Sequence, residues 1–141
     1  VRQAQKVHHF DDDYAHQMAI MAMRQFGTLL LGLCPNAKPY LYRQQIPDSL
    51  SIWLPEPETI DNTLPHSWDI TADSLSLWLS QQLNADQLYL IKHTETPSQD
   101  IKQLSAQGII DKAFPALYES SPPLPLTLLN ANEPTSCLID G

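Results

Sequence analysis

Apolar residues recur at steps of three and four between positions 14 and 33, where Ala15, Met18, Ala19, Ala22, Phe26, Leu29, Leu30 and Leu33 share one broad stripe. That is the period of an amphipathic helix. Asp11, Asp12 and Asp13 stand ahead of it as an N-cap and acidic first turn, and Pro35 ends it. Gly27 weakens its middle and marks a bend or a close helix contact. The residues from Val1 to Gln5 read as a helix already under way. Between positions 36 and 65, five prolines break the periodicity, so only short strands fit, at 40–42 and 51–54.

Leu75, Trp78, Leu79 and Leu83 then return to helical spacing and predict a helix over 72–83, closed by Asn84, Ala85 and Asp86. Leu88 to Ile91 is a short run without polar alternation, the pattern of a strand buried on both faces by helices, and such strands lie in parallel sheets. A polar loop over 92–98 leads to a short helix over 99–106. A second helical stretch beyond Asp111 is interrupted by Pro115, and further strands are expected at 124–130 and 137–140. Alternating strands and helices predict an α/β fold, a three-layer αβα sandwich around a mostly parallel sheet.

Composition narrows the function classes. The chain has 141 residues, one domain's worth, with 43% hydrophobic and 17% charged residues and no apolar run of membrane-spanning length. A net charge of −8, from 8 Lys and Arg against 16 Asp and Glu, disfavours nucleic-acid binding, which needs a cationic face. Cys34 and Cys137 have no metal-like spacing and read as reduced thiols of a cytoplasmic protein, with a single disulfide the open alternative.

Candidate chemistry gathers at positions 64–74, where Ser67, Asp69, Thr71 and Asp73 crowd the start of a helix. Each can cap backbone N–H groups, and such a helix start can also hold an anion. In an open parallel sheet, ligands bind beyond the carboxyl ends of the strands. Asp73 and Lys92 would meet on that rim, either as a structural ion pair or as the carboxylate and ammonium of a phosphoryl-transfer site. His66 and His93 flank the rim as ordinary loop residues or as acid–base groups. His8, His9 and His16 form a poor zinc signature, and no metal site is expected. Four glycines leave little material for a phosphate-cradling loop, and no P-loop, nucleophile elbow or dinucleotide fingerprint is present.

The run Ser67-Trp68-Asp69-Ile70-Thr71-Ala72-Asp73-Ser74 with its helix, the strand ending in Lys92, the segment Gly108-Ile109-Ile110-Asp111-Lys112-Ala113-Phe114 and the strand to Asn130 resemble the nucleotide-binding half of the amino acid kinase family. Val1-Arg2-x-x-Gln5 and Asp13-x-x-His16-x-Met18-Ala19-x-x-Ala22-Met23 are similar to that family's helices after the substrate-binding glycine loop. Among branches, the chain looks most like the small archaeal and methylotroph proteins that phosphorylate an aminomethylfuran phosphate in methanofuran-type cofactor synthesis. The resemblance implies an ATP- and magnesium-dependent small-molecule kinase for a phosphate or carboxylate acceptor. It further implies that Asp73 organises the active site, that Thr71, Asp69, His16 and Arg2 face substrate, and that Lys92, Asp111 and Phe114 line the nucleotide pocket.

By the same resemblance, residues 1–60 are the remainder of a substrate half and residues 61–141 a nucleotide half of one partial domain. The family's two glycine loops precede the point that matches Val1, so the chain is expected to be N-terminally truncated and inactive by itself. Two other readings stand beside the kinase: a non-catalytic nucleotide- or anion-binding or storage module of the same fold, and a homo-oligomer joined through the helix over 14–33.

Overall fold

A computed structural model describes residues 1–60, 64–94 and 100–132. The chain divides into two compact units, Val1–Trp68 and Asp69–Gly141. Each combines helices with a two-stranded parallel sheet, a small α/β organisation. The division falls inside the polar stretch at 64–74, whose first residues belong to one unit and whose last belong to the other. No helix among the described residues is long and apolar enough to cross a membrane.

The first unit contains α1 (Arg2–His8), α2 (Asp12–Leu33), β1 (Lys38–Tyr40) and β2 (Ser51–Trp53). After α1, His9 takes a left-handed conformation (φ 55°) and its N–H donates to the Gln5 carbonyl at 2.8 Å. The chain then enters α2 through Asp11, whose carboxylate accepts the Tyr14 N–H at 3.0 Å as a side-chain N-cap. The face of α2 that packs overlaps the stripe read from the sequence only in part: Ala15 is shared, and Ala19 and Leu30 are half-buried. Ala15, His16, Ile20 and Gly27 are its buried residues, while Met18, Phe26, Leu29 and Leu33 are exposed.

Gly27 explains much of that rotation. A Cβ there would lie 2.8 Å from Leu54 Cδ2 and 3.2 Å from the Trp53 carbonyl oxygen, so its bare backbone lets the end of β2 approach the helix. The close contact expected at Gly27 is therefore with a strand rather than a helix. β1 pairs with β2 in parallel, from Lys38 opposite Ser51 to Tyr40 opposite Trp53. It stops at Tyr40 and not at Tyr42, because the chain turns at once: Gln44 N–H donates to the Leu41 carbonyl at 3.1 Å, and Arg43 is left-handed (φ 70°).

The second unit contains α3 (Ala72–Gln82), β3 (Leu88–Lys92), α4 (Ile101–Ala106), α5 (Phe114–Glu119) and β4 (Leu126–Asn130). β3 and β4 run parallel, with Leu88 opposite Leu126 and Lys92 opposite Asn130. Its core is Leu77, Leu88, Leu90, Leu104, Ile110, Phe114 and Leu124. Each such side chain contributes about 1.5–3 kcal/mol on burial, so these seven dominate the unit's stability. Asp100 caps α4 by accepting the Lys102 N–H at 2.8 Å. Pro115 sits in the first turn of α5, where its missing N–H costs nothing, so it opens that helix instead of interrupting one.

Two expectations change here, and one lies outside the described residues. β3 is buried on one face only: Leu88 and Leu90 point into the core, while Tyr89 and Ile91 are exposed. The residues that cover it, from α3, α4 and α5, all meet Leu88 and Leu90 in one cluster, and apolar side chains on both faces of a short run do not reveal that. The strand expected at 137–140 lies outside the described residues, as does any pairing of Cys137. Cys34 is a half-buried free thiol. The expected single sandwich is, among the described residues, two separate two-stranded sheets.

Candidate functional site

In the second unit the start of α3, the end of β3 and the segment before α5 meet through polar side chains. Lys92, the last residue of β3, donates from Nζ to both carboxylate oxygens of Asp73, at 2.7 and 2.6 Å. The pair is mostly shielded, with side chains 19% and 15% exposed. That matters because a shielded pair is screened far less than a surface one, and removing one partner strands the other charge. The Asp111 N–H also donates to Asp73 Oδ2, at 3.2 Å.

Asp111 completes a reciprocal clasp. Its carboxylate accepts the Thr71 N–H at 2.7 Å, the Ser74 N–H at 2.9 Å and the Thr71 hydroxyl. Two N–H groups at the start of α3, those of Thr71 and Ser74, are thus satisfied by a carboxylate about forty residues along the chain, and the Thr71 side chain, which the sequence offers as a local cap, makes no cap bond. Around the clasp, Ala113 N–H donates to the Asp69 carbonyl at 3.0 Å, and Lys112 Nζ reaches Asp69 Oδ2 at 3.2 Å on the surface. Gly108, left-handed at φ 71°, turns the chain out of α4 so that Ile110 enters the core and Asp111 faces α3.

Thr71, Asp73, Lys92 and Asp111, four of the candidate residues, are therefore joined in one network. Asp69 lies at its exposed margin. Phe114 is elsewhere: its ring is fully buried in the core and stacks on Tyr118 with centroids 6.0 Å apart, so it has no exposed surface to offer a ligand. Ser74 was not singled out by sequence reasoning. It is fully buried beside Asp73, and its hydroxyl has no hydrogen-bond partner among the described residues.

Arg2 and His16 belong to a polar cluster of the first unit. The Arg2 guanidinium lies 4.5 Å over the Trp68 ring, and Trp68 Nε1 donates to Gln5 Oε1 at 2.6 Å. Gln5 Nε2 reaches Asp12 Oδ1 at 2.8 Å. His66 Nδ1 meets Asp13 Oδ1 at 2.7 Å, and its ring stacks on His16 with centroids 4.2 Å apart. These pairings tie the 64–68 segment to α1 and α2. Partners separated by fifty or sixty positions carry no local sequence signal.

Burial holds the His16 pKa below its ordinary value of 6.5; the nearby His66 pushes the same way and Asp13 opposes. The fold thus prefers neutral His16. Between the lowered value and 6.5 the unfolded chain binds more protons than the folded one, so stability is fully present above about pH 6.5 and declines as the pH falls below it. Melting of the wild type is expected to show a lower Tm at about pH 5 than at about pH 7. His16→Gln should remove part of that slope, and parallel pH profiles for the two proteins would count against this assignment.

Chemically, the network of the second unit presents an ammonium fixed by a carboxylate at the carboxyl end of a parallel strand. A phosphate fits only part of it. Lys92 could neutralise a phosphoryl oxygen, but the α3 start already holds the anion it was expected to attract, the Asp111 carboxylate. No three His, Cys, Asp or Glu side chains among the described residues converge as a metal site. Comparison of the chain with protein-family models, curated proteins and solved structures gives no match in any of the three.

Proposed function

We propose that this chain carries the nucleotide-side half-site of an ATP-dependent small-molecule kinase of the amino acid kinase type. One observation carries the reading: Asp73 holds the Lys92 ammonium at the carboxyl end of β3, beside the start of α3. A fixed ammonium lowers the cost of charge on a transferred phosphoryl group without reorganising during reaction. In this role Asp73 is the positioning carboxylate and Lys92 the group that meets phosphate. Thr71 and Asp69 stand on the acceptor side. ATP would supply the phosphoryl group, and magnesium enters only as the nucleotide's companion. The acceptor is a small phosphate or carboxylate compound, with an aminomethylfuran phosphate the first to try. The wider reading places the units in a three-layer sandwich around a mostly parallel sheet, in a cytoplasmic protein.

A second reading, a non-catalytic anion- or nucleotide-binding module, is favoured by the occupation of the α3 start by Asp111. Calorimetry with ATP and magnesium, followed by transfer assays on phosphate- and carboxylate-bearing acceptors, separates the two. The kinase predicts nucleotide binding by this chain and turnover in a protein that also carries the family's two glycine loops, where Asp73→Asn should lose at least about 100-fold, the scale of one charge-stabilising contact. Binding without turnover in that longer protein supports the module, and absence of nucleotide binding overturns both. Unchanged turnover in Asp73→Asn removes that residue from the mechanism.

A further inference from the structure

Among the described residues, helix α2 leaves an ordered apolar seam without cover. Ala19, Ala22, Phe26, Leu29 and Leu33 follow one another at steps of three, four, three and four, the spacing of a coiled-coil contact. Phe26, Leu29 and Leu33 are 61%, 55% and 68% exposed. No charged residue interrupts the seam, and Arg24 is turned aside to Glu56 at 2.8 Å.

The seam is graded by size. Its first half is alanine and its second half is phenylalanine and leucine. A parallel partner of the same sequence would set alanine on alanine, leaving voids, and would bring the acidic residues Asp11 to Asp13 against their own copies. An antiparallel two-fold partner sets Phe26 against Ala22 and Leu29 against Ala19, twice over, so that each large side chain meets a small one. It also opposes the two macrodipoles and carries Asp11, Asp12 and Asp13 toward the exposed Lys38 that follows the other helix.

Tyr14, Met18, Phe26, Leu29 and Leu33 each expose on the order of 100 Å² of side chain. Two copies together offer roughly 1,000 Å², the size a specific interface needs. We propose that this face of α2 is the interface of an antiparallel two-fold dimer, with Phe26 and Leu29 of one copy seated on Ala22 and Ala19 of the other.

Sedimentation velocity on the wild type at micromolar concentration should give twice the monomer mass. Phe26→Glu and Ala22→Leu should each raise the dissociation constant at least tenfold. Both positions are exposed in the single chain, and unchanged circular dichroism would show that the fold is kept. Direction is read by cross-linking Tyr14→Cys to the native Cys34 in a Cys137→Ser background. Those two positions lie about 30 Å apart along one helix, so their disulfide must join two copies. A covalent dimer on a non-reducing gel that forms only with both cysteines present, and is lost when Cys34→Ser is added or Tyr14 is restored, supports the arrangement, whereas cross-linking through a single cysteine overturns the antiparallel direction. A monomeric wild type, or a dimer indifferent to both seam variants, overturns the interface, and a dimer that fails to cross-link overturns the antiparallel direction.

Discussion

Phe114→Ala should cost the second unit about 3–5 kcal/mol, the usual range for removing a fully buried aromatic ring. The ring is completely enclosed and shares one cluster with Leu77, Leu88, Leu90 and Leu104, so truncation removes packing from α3, β3 and α4 together. Against a total stability of about 5–15 kcal/mol for a typical domain, that loss is a large share. Urea unfolding followed by Trp78 fluorescence in a variant lacking Trp53 and Trp68 is the measurement. A shift of less than about 1 kcal/mol would mean that the ring is not the keystone its burial implies.

Asp111→Ala should be the second most damaging change, at about 2–4 kcal/mol. The carboxylate satisfies two backbone N–H groups and a hydroxyl at the start of α3, and each charge-assisted bond of this kind is worth more than a neutral one. Asp111→Asn keeps an acceptor oxygen and should lose about half as much. The alanine variant also vacates the helix start. Inorganic phosphate at tens of millimolar should therefore raise its Tm more than that of the wild type, since an anion that binds only the folded state stabilises it. Equal responses would show that this helix end is no anion site even when emptied.

Much of the local structure was legible because it is written locally. Asp11 caps α2, the spacing of Leu75 and Trp78 marks α3, and the apolar runs at Leu88 and Leu126 are strands. The site was legible in part: Asp73 and Lys92 were expected on one rim, and they meet there. What stayed hidden depends on residues remote in sequence. The stripe through Phe26 and Leu29 is the strongest periodic signal in the chain, yet of its residues only Ala15 is fully buried, and α2 packs mainly through His16, Ile20 and Gly27, because a strand can come close only where Cβ is missing. Asp111 looks like a loop residue, and only the turn at Gly108 aims it at α3. Phe114, assigned to a nucleotide pocket by resemblance, is enclosed in the core, where packing alone accounts for an aromatic ring.

The parallel pairing of β3 with β4 has a consequence for how the second unit assembles. Its partners lie 38 positions apart, from Leu88 to Leu126, and α4 and α5 fall between them. Closing so long a loop costs entropy before any ladder bond repays it. Two strands with one face uncovered hold little stability of their own. The ladder must then wait for Leu104 and Phe114 to dock on Leu77, and once formed it opens only when they leave. In the second unit, sheet and helices are therefore expected to form in a single cooperative step, with the strand pair completing the unit rather than beginning it.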